Sequence, residues 1–296
     1  MNAILKRYHA FLKLEKSLSE NTIEAYQSDL NRFLDYLSDM GLKYDSVSID
    51  DFRHFLEELT NLGISVRSQA RIISGIKSFY RFLQYEEILD EDPTELLEMP
   101  KLAMHLPEVL SVEEIDNIIE AIDMSKKEGV RNRVIIEMLY GSGLRVSELI
   151  DVKISNIHFD EGYVCVIGKG NKQRLVPISS ICKEYIKEYL HERASWRLLD
   201  GFEDYLFINR SGKNISRVAI FNIVKQLVEL AGIKKTISPH TFRHSFATHL
   251  LEGGANLRDI QQMLGHSSIL TTEIYTHIDV EYLRDTIMKF HPKNKQ

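Results

Sequence analysis

Large apolar residues recur at intervals of three or four in the first third of the chain. This spacing places them on one face of an α-helix, and a shorter apolar segment precedes them at residues 5–14. We therefore predict four helices packed as a small bundle with aromatic residues in its core. The three longer stripes are Ile23, Tyr26, Leu30, Phe33, Leu34 and Leu37; Phe52, Phe55, Leu56 and Leu59; and Ile72, Ile73, Ile76, Phe79, Tyr80 and Leu83.

Capping residues and glycines predict where these helices begin and end. Asn21, with Glu24 three residues later, resembles a capping box at the start of the first stripe. Ser48 is predicted to cap the second helix. Gly41 and Gly63 are predicted to end the first two stripes, because glycine readily adopts the left-handed conformation found at helix ends.

A stretch with weak periodicity, residues 93–108, contains three of the six prolines. Irregular segments rich in proline commonly connect domains. We therefore predict a linker here, between a domain at 1–92 and a second domain at 109–296. Ser111 and Glu114 form a predicted capping box at the start of the second domain.

The second domain combines predicted helices with one β-hairpin. Residues 163–167 and 173–178 are β-rich, and the polar turn sequence Gly-Lys-Gly-Asn-Lys separates them. An apolar helix is predicted over 131–139, ending in Gly-Ser-Gly. The predicted fold class is mainly α with two domains: an N-terminal four-helix domain, then a mixed α/β domain with a small antiparallel sheet.

Further helices are predicted after the hairpin. Ser216 is predicted to cap one that stops at Gly232, and shorter helical turns are predicted within 256–264 and 271–275. An apolar stripe in the tail predicts a last helix. That stripe either packs on its own domain or docks on a neighbouring protomer. Its residues are Val280, Leu283 and Ile287.

Composition is that of a globular protein, with 44% hydrophobic and 27% charged residues. No apolar run reaches the roughly 18 residues that a membrane span needs, and the first residues lack the apolar core of a signal peptide. Cys165 and Cys182 are the only cysteines, too few for a disulfide scaffold or a cysteine-based metal site. We therefore predict a cytoplasmic protein.

The net charge of −6 argues at first against a nucleic-acid partner, but the charge is unevenly distributed. Residues 1–105 contain 12 Lys and Arg against 18 Asp and Glu, whereas the remainder contains 25 of each. Within that remainder, residues 205–251 hold seven basic residues and one acid, Glu229. Such a cluster either binds a polyanion or forms a solvated surface. The basic residues are Arg210, Lys213, Arg217, Lys225, Lys234, Lys235 and Arg243; Lys169, Lys172 and Arg174 form a second acid-free group.

Residue types suited to phosphate chemistry are concentrated between residues 238 and 277. His240 and Arg243 are three apart and share a helix face, His266 follows a predicted helix end, and Tyr275 lies in a polar stretch. Arginine binds phosphate oxygens in a planar fork, histidine transfers protons near neutral pH, and tyrosine can act as a nucleophile.

Metal binding is the competing interpretation of the same stretch. The histidines lack the His-Glu-x-x-His pattern of zinc helices, and carboxylates are scarce nearby, so we predict no metal. The candidate ligands would be His240, His244, His249, His266 and His277.

Two basic residues outside that stretch are further candidates. Arg145 follows a glycine-rich break, where backbone can approach a ligand closely. A cation is unfavourable at the start of a helix, which favours a functional role over an ordinary surface arginine. Lys169 begins the predicted hairpin turn and either projects into a groove or is simply exposed.

Five blocks of sequence, in this order, resemble the tyrosine recombinases of the phage integrase family, and among them the Xer site-specific recombinases. The resemblance covers nearly the whole chain. It implies an N-terminal core-binding domain and a C-terminal catalytic domain that together form a C-shaped clamp on DNA. The blocks are Gly-Leu-Arg-Val-Ser-Glu-Leu at 143–149, Ile-Gly-Lys-Gly-Asn-Lys at 167–172, Ser-Pro-His with Arg-His at 238–244, Leu-Gly-His-Ser at 264–267 and Tyr-Thr-His at 275–277.

The resemblance implies a catalytic role for six residues. Tyr275 would attack the scissile phosphate, giving a 3′-phosphotyrosyl intermediate and a free 5′-hydroxyl. Arg145 and Arg243 would hold the non-bridging oxygens. His240 would accept the tyrosine proton, and Lys169 would protonate the departing 5′-oxygen.

The sixth residue, His266, would add a hydrogen bond to the phosphate. Because the bond energy stays in the phosphotyrosine, the implied reaction needs no metal, no ATP and no other cofactor. Glu148 either orients this group of residues or is a solvated helix residue, since glutamate is usually exposed.

The implied function is strand exchange at a double-stranded DNA site, resolving chromosome dimers at cell division. The implied partners are a related recombinase in a heterotetramer, or further copies in a homotetramer on two sites, and a DNA translocase at the septum, with no membrane contact. The resemblance also favours a tail that docks on a neighbouring protomer in a head-to-tail ring.

Three alternatives remain. A mobile-element integrase of the same family is one, but the absence of an extra arm-binding domain favours the Xer type. An enzyme like the type IB topoisomerases would relax DNA by similar chemistry. A DNA-binding module without catalysis would require the loss of a catalytic position, and all six are present.

Overall fold

The protein contains two compact units, Met1–His105 and Leu106–Gln296, and each has its own hydrophobic core. Both are mainly helical, and the second contains a small antiparallel sheet, so the predicted fold class is confirmed. Within the described ranges no helix is long and apolar enough to cross a membrane. The computed structural model describes residues 2–101, 108–168, 173–265 and 277–294, with the backbone alone at 2, 277–282 and 294.

The first unit is the predicted four-helix bundle, and α4 packs extensively on α2. The rings of Phe33 and Phe52 stack with centroids 5.2 Å apart, and Tyr8 meets Phe79 edge-on at 5.3 Å. The prediction that the aromatic residues form the core is therefore confirmed. The helices are α1 (Asn2–Ala10), which continues into a π-helical turn at Phe11–Glu15, α2 (Glu20–Asp39), α3 (Ile49–Asn61) and α4 (Val66–Tyr85).

Two predicted helix starts in this unit have different outcomes. Ser48 caps α3, where its hydroxyl accepts a backbone N–H of the first turn at 3.3 Å. The capping box predicted at Asn21 and Glu24 is wrong, because α2 begins at Glu20 with Ser19 as its N-cap. The earlier start places the acidic Glu20 in the first turn, where it complements the helix dipole.

Part of the predicted linker packs on the first unit. Thr94 and Leu97 are 0% and 5% exposed, and Leu97 belongs to the core of the bundle. The hydroxyl and the backbone N–H of Thr94 both donate to the Asp92 carboxylate, at 2.6 and 2.8 Å. Packed chain therefore extends beyond residue 92, and the linker at 93–108 stays a prediction.

The second unit is organised around α6, which has no exposed residue. Protein therefore covers α6 on all sides, including its charged residues Arg131 and Glu137, and the helix packs on α8 and α10. The helices are α5 (Val112–Glu120), α6 (Gly129–Gly141), α7 (Val146–Ile150), α8 (Ser180–Arg193), α9 (Arg217–Leu230), α10 (Pro239–Gly253), α11 (Leu257–Leu264) and α12 (His277–Phe290).

The sheet has three antiparallel strands in the order β1, β2, β3. The predicted hairpin is confirmed as β2 (Tyr163–Ile167) and β3 (Gln173–Pro177), with Cys165 opposite Leu175. The added strand β1 (Ile157–His158) has only two residues, too few for an alternating pattern to predict it.

The tail helix packs on its own unit. Leu283 and Ile287 are 1% and 3% exposed and belong to the core of the second unit, where α12 contacts β3, α10 and α11. In the single chain these two residues thus pack on their own unit, and docking of the stripe on a neighbouring protomer stays a prediction. Burial against the chain's own core removes them from water without a partner.

Deletion of residues 279–296 is therefore expected to destabilise the second unit and not only to impair assembly. Burial of each of Leu283 and Ile287 contributes about 1.5–3 kcal/mol, so the thermal unfolding midpoint followed by circular dichroism should fall sharply. Leu283→Ala should lower it too, whereas Met288→Ala, at an exposed position of the same helix, should not. An unchanged midpoint, with only cooperative DNA binding lost, would contradict this expectation.

Candidate active site

Arg145 lies where α7 begins. Its backbone N–H donates to one oxygen of the Glu148 carboxylate at 2.8 Å, and its Nη1 donates to the other oxygen at 2.8 Å. Glu148 thus closes the first turn of α7 and holds the arginine that precedes it. The Arg145 side chain is 31% exposed, so the guanidinium is accessible from solvent.

The glycine-rich break before Arg145 is explained by packing inside the unit. Gly143 has a φ of +59°, a conformation that favours glycine. A Cβ at this position would lie 2.6 Å from the ring of Phe246 on α10. Glycine is therefore required for the approach of α10, whereas the sequence suggested the approach of a ligand.

Glu148 is buried, with 3% of its surface exposed, between two arginines. Arg174 on β3 donates through both terminal nitrogens, to Oε1 and, at 2.8 Å, to Oε2. Burial alone would raise the pKa of the Glu148 carboxyl, but the bonds and charge of Arg174, followed by the bonds from Arg145, hold that pKa below its usual value. The carboxylate is therefore ionised at neutral pH. Its burial shows that Glu148 is not a solvated helix residue.

Arg243 projects from α10 into the same site. Its Nη1 donates to the Gly143 carbonyl at 2.6 Å and its Nη2 to the Leu264 carbonyl, and the Glu148 carboxylate lies 3.9 Å away. Burial, together with the nearby charges of Arg145 and Arg174, lowers the pKa of Arg243 to about 9, and the charge of Glu148 opposes this shift. The guanidinium still carries its charge at neutral pH.

Three arginines from separate elements meet at the C-terminal end of α11, each donating to one of three successive carbonyls. The last carbonyls of a helix lack intrahelical partners and carry the negative end of its dipole, so cations are stabilised there. The site therefore holds three positive charges against one carboxylate. The bonds run from Arg174 Nε to Met263 at 3.0 Å, from Arg243 to Leu264, and from Arg145 Nη2 to Gly265 at 3.1 Å.

The structure thus brings together two of the six predicted catalytic residues, Arg145 and Arg243. His240 lies in the first turn of α10, as predicted, with an exposed side chain. The other three, Lys169, His266 and Tyr275, lie outside the described residues. The catalytic roles of all six stay predictions.

The part that Arg174 plays is not indicated by the sequence, where it is only one member of a basic group. The partners that define its position lie far away along the chain. Arg174 and Glu148 are 26 residues apart, and Arg174 and Met263 are 89 apart. A buried arginine needs such partners, but no local pattern indicates them.

The histidines proposed as metal ligands do not gather in the part of the chain that the structure describes. His240 and His244 are exposed, whereas His249 is buried and its Nδ1 lies 2.8 Å from the Tyr140 hydroxyl. Burial lowers the pKa of His249. The described residues of the chain contain no group of three or more His, Cys, Asp or Glu side chains able to hold a metal.

The predicted basic cluster is partly neutralised. Arg210 Nε lies 2.6 Å from the Glu128 carboxylate, and Lys235 Nζ lies 2.7 Å from that of Glu114. These two basic residues are paired within their own unit and are therefore weaker candidates for binding a polyanion.

A basic groove in the first unit was also missed. On α4 the polar residues at positions 74, 77, 78 and 81 form a helical stripe opposite the apolar one, and Lys16 faces it across the groove. The groove has a volume of about 590 Å³. The i, i+3, i+4, i+7 spacing of these residues can be seen in the sequence. The net negative charge of the first unit, however, gave no indication of a basic surface. Its lining residues are Lys16, Leu18, Tyr26, Ser74, Lys77, Ser78, Arg81 and Met99.

The chain belongs to the phage integrase family. Residues 108–281 match the phage integrase family itself, and residues 5–87 match the phage integrase N-terminal SAM-like domain. The protein is a site-specific tyrosine recombinase, an enzyme that transfers DNA strands. The resemblance stated from the five sequence blocks is confirmed.

Two relatives match over almost their whole length. The chain is 43% identical to tyrosine recombinase XerD of Chlorobaculum tepidum over 292 residues, which are 98% of this chain and 96% of the relative. It is 42% identical to tyrosine recombinase XerD of Staphylococcus epidermidis over 294 residues, which are 99% of this chain and 100% of the relative.

Two solved structures share the fold. The XerH site-specific recombinase bound to its difH substrate matches with a TM-score of 0.68 and 23% identity, over 92% of this chain and 78% of XerH. A fragment of the Tn1549 transposon integrase, its residues 82–397, bound to circular intermediate DNA matches with a TM-score of 0.71 and 19% identity, over 94% of this chain and 98% of the fragment.

Proposed function

We propose that Tyr275 breaks a DNA strand by attacking its phosphate while Arg145 and Arg243 bind the non-bridging oxygens. The observation that supports this is the common position of the two arginines at the end of α11, directly before His266. A guanidinium carries more N–H donors than these carbonyl bonds use. Donors held in place before the reaction stabilise the charge that develops on the pentavalent transition state.

The balance of charge in the site supports the same role. Arg174 and Glu148 neutralise each other through two hydrogen bonds. Glu148 is the one carboxylate that the three arginines of the site share, so a net positive charge of about two remains for a phosphate. In other phosphoryl-transfer enzymes a divalent metal supplies such charge.

The remaining catalytic residues transfer protons or bind the phosphate. Tyr275 Oη forms a bond to phosphorus while the bond from phosphorus to O5′ breaks. His240 accepts the phenol proton, and Lys169 donates a proton to the departing O5′. His266 donates a hydrogen bond to the phosphate. Attack by the 5′-hydroxyl of another strand reverses these steps and joins the strands, with no net hydrolysis.

The similarity to XerD over nearly the whole chain supports resolution of chromosome dimers at cell division. The active assembly is four protomers on two DNA sites, formed with a related recombinase or by this chain alone. A mobile-element integrase is the second candidate. Genome-wide footprinting separates the two, because a single chromosomal site supports the first and a site at the ends of an element supports the second.

Covalent trapping tests the chemistry. With a nicked duplex carrying the footprinted site, the wild-type protein should form a protein–DNA adduct on a denaturing gel in excess chelator, because the site supplies its own positive charge. Loss of the adduct in chelator, restored by one divalent ion, would instead support a metal site built from histidines.

Binding to duplex DNA is expected to depend strongly on salt despite the acidic total charge. Each phosphate that the protein neutralises adds about −0.9 to the slope of log K against log salt. Lys77→Ala and Arg81→Ala in the basic groove should each make the slope less negative by about that amount. Arg53→Ala is the matched control, since Arg53 is exposed on α3 of the same unit and paired with Asp50 at 2.8 Å. If all three variants had the same slope as the wild-type protein, the groove would not be part of the DNA interface.

A further inference from the structure

Arg174 is buried in the site, and each of its three side-chain nitrogens donates to a protein oxygen. Only 5% of its surface is exposed. Its two terminal nitrogens donate to the two oxygens of Glu148, and its Nε donates to the Met263 carbonyl. Arg174 is therefore much more buried than Arg145, whose side chain is 31% exposed.

We propose that Arg174 is a positioning residue of the recombination reaction. It holds Glu148 and the end of α11 in the arrangement that orients Arg145 toward the phosphate. This inference rests on the proposed phosphate-binding role of Arg145.

The first contact acts through Glu148. Each carboxylate oxygen accepts one bond from Arg174 and one from Arg145: Oε1 from the two Nη1 atoms, and Oε2 from Arg174 Nη2 and the Arg145 backbone N–H. Without Arg174, this buried carboxylate would have Arg145 as its main counter-charge. A buried charge that loses a partner draws on the partners that remain, so the Arg145 guanidinium would be drawn away from the phosphate.

The second contact acts through the end of α11. Arg174 binds the Met263 carbonyl, and the next two carbonyls bind Arg243 and Arg145. The Arg174 side chain also packs on Gly265, where an added Cβ would lie 3.0 Å from Arg174 Cδ. A displacement of this helix end would therefore move the acceptors of both phosphate-binding arginines.

Arg174 also connects the site to the hairpin. It is the second residue of β3, paired with Val166 of β2, and Lys169 precedes it by five residues. The same side chain thus anchors the strand that follows the turn carrying the proposed general acid. A group positioned this way affects the rate of the chemical step more than DNA affinity.

Single-turnover cleavage of the nicked, footprinted site at saturating protein provides the test. Arg174→Met should slow cleavage by about 100-fold, the effect of a misplacement of about 1 Å. The dissociation constant for one half-site should change by less than about threefold, because the residue contributes no phosphate contact. Cleavage within about threefold of wild type would overturn the proposal.

A double-variant cycle separates positioning from a general loss of stability. If Arg174 acts through Glu148, the variant carrying both Arg174→Met and Glu148→Gln should cleave within about threefold of the slower single variant. Losses that multiply would mean that the two residues act independently, and the proposal would fail.

Arg193→Met is the matched control. Arg193 is also buried in the second unit, 6% exposed, and donates to the carbonyls of Glu203 and Tyr205 at 2.7 and 2.8 Å. Its loss should lower the thermal midpoint and leave the cleavage rate of the folded protein unchanged. A similar loss of cleavage in this control would mean that removing any buried arginine suffices, which would overturn the proposal.

Arg174→Lys carries the test if the methionine variant does not fold. Lysine keeps the charge but cannot bind both carboxylate oxygens and the Met263 carbonyl in the planar geometry of arginine. Cleavage about tenfold slower supports positioning, and wild-type cleavage would mean that charge alone suffices. If the wild-type protein itself forms no adduct on the footprinted site, the proposed catalytic function fails, whatever the variants do.

Discussion

Tyr275→Phe is expected to abolish the covalent protein–DNA adduct completely. The substitution removes the oxygen that is proposed to attack the phosphate and leaves the ring in place, and no other group in the proposed mechanism supplies a nucleophile. DNA binding should remain, because the substitution removes one hydroxyl group and keeps the aromatic ring. A denaturing gel measures the adduct, and a gel-shift titration measures binding.

The matched control for this experiment is Tyr205→Phe. Tyr205 lies in the same unit, is half-buried, and has the Lys153 ammonium 5.7 Å from its ring centroid. Its substitution should leave adduct formation intact. Adduct from the Tyr275 variant would assign the nucleophile to another residue, and mapping the DNA-linked peptide would identify it.

The second large effect is expected at Lys169. Lys169→Ala should slow cleavage of an ordinary site by about 10²–10⁴-fold, the usual contribution of a general acid. An alkoxide is a poor leaving group, so the 5′-oxygen needs a proton as its bond to phosphorus breaks. A site with sulfur at the 5′-bridging position should restore much of the rate, because a thiolate leaves without protonation.

This rescue distinguishes proton donation from simple charge. If Lys169 only attracted the phosphate, sulfur at the bridging position would leave the variant as slow as before. Lys187→Ala is a suitable control, since Lys187 is an exposed lysine on α8 of the same unit. It should cleave both substrates at the wild-type rates.

Much of the fold could be predicted because it depends on neighbours along the chain. The bundle helices follow from apolar spacing, and Ser48, Ser111 and Ser216 each cap a helix as predicted. The hairpin follows from two β-rich segments around a polar turn. Asn21 is the exception, because two nearby polar residues could both serve as a cap and the sequence pattern did not rank them.

The candidate site was only partly predictable. The sequence indicates the residue types and, through the family blocks, their order. The function of Glu148 was undecided from sequence because exposed and buried glutamates look alike in a helix. Its burial and its two arginine partners decided the question.

The sequence alone determined the helices, the hairpin, the two-domain organisation and the chemistry available to the enzyme. Those features follow from residues a few positions apart, where periodicity, capping and turn preferences act. Only the tertiary structure decided that Arg174 binds Glu148 and the end of α11, that Arg210 and Lys235 are paired, and that Leu283 packs on its own unit. Those pairings join residues that are distant in the chain, and burial and charge select them only once the chain has folded.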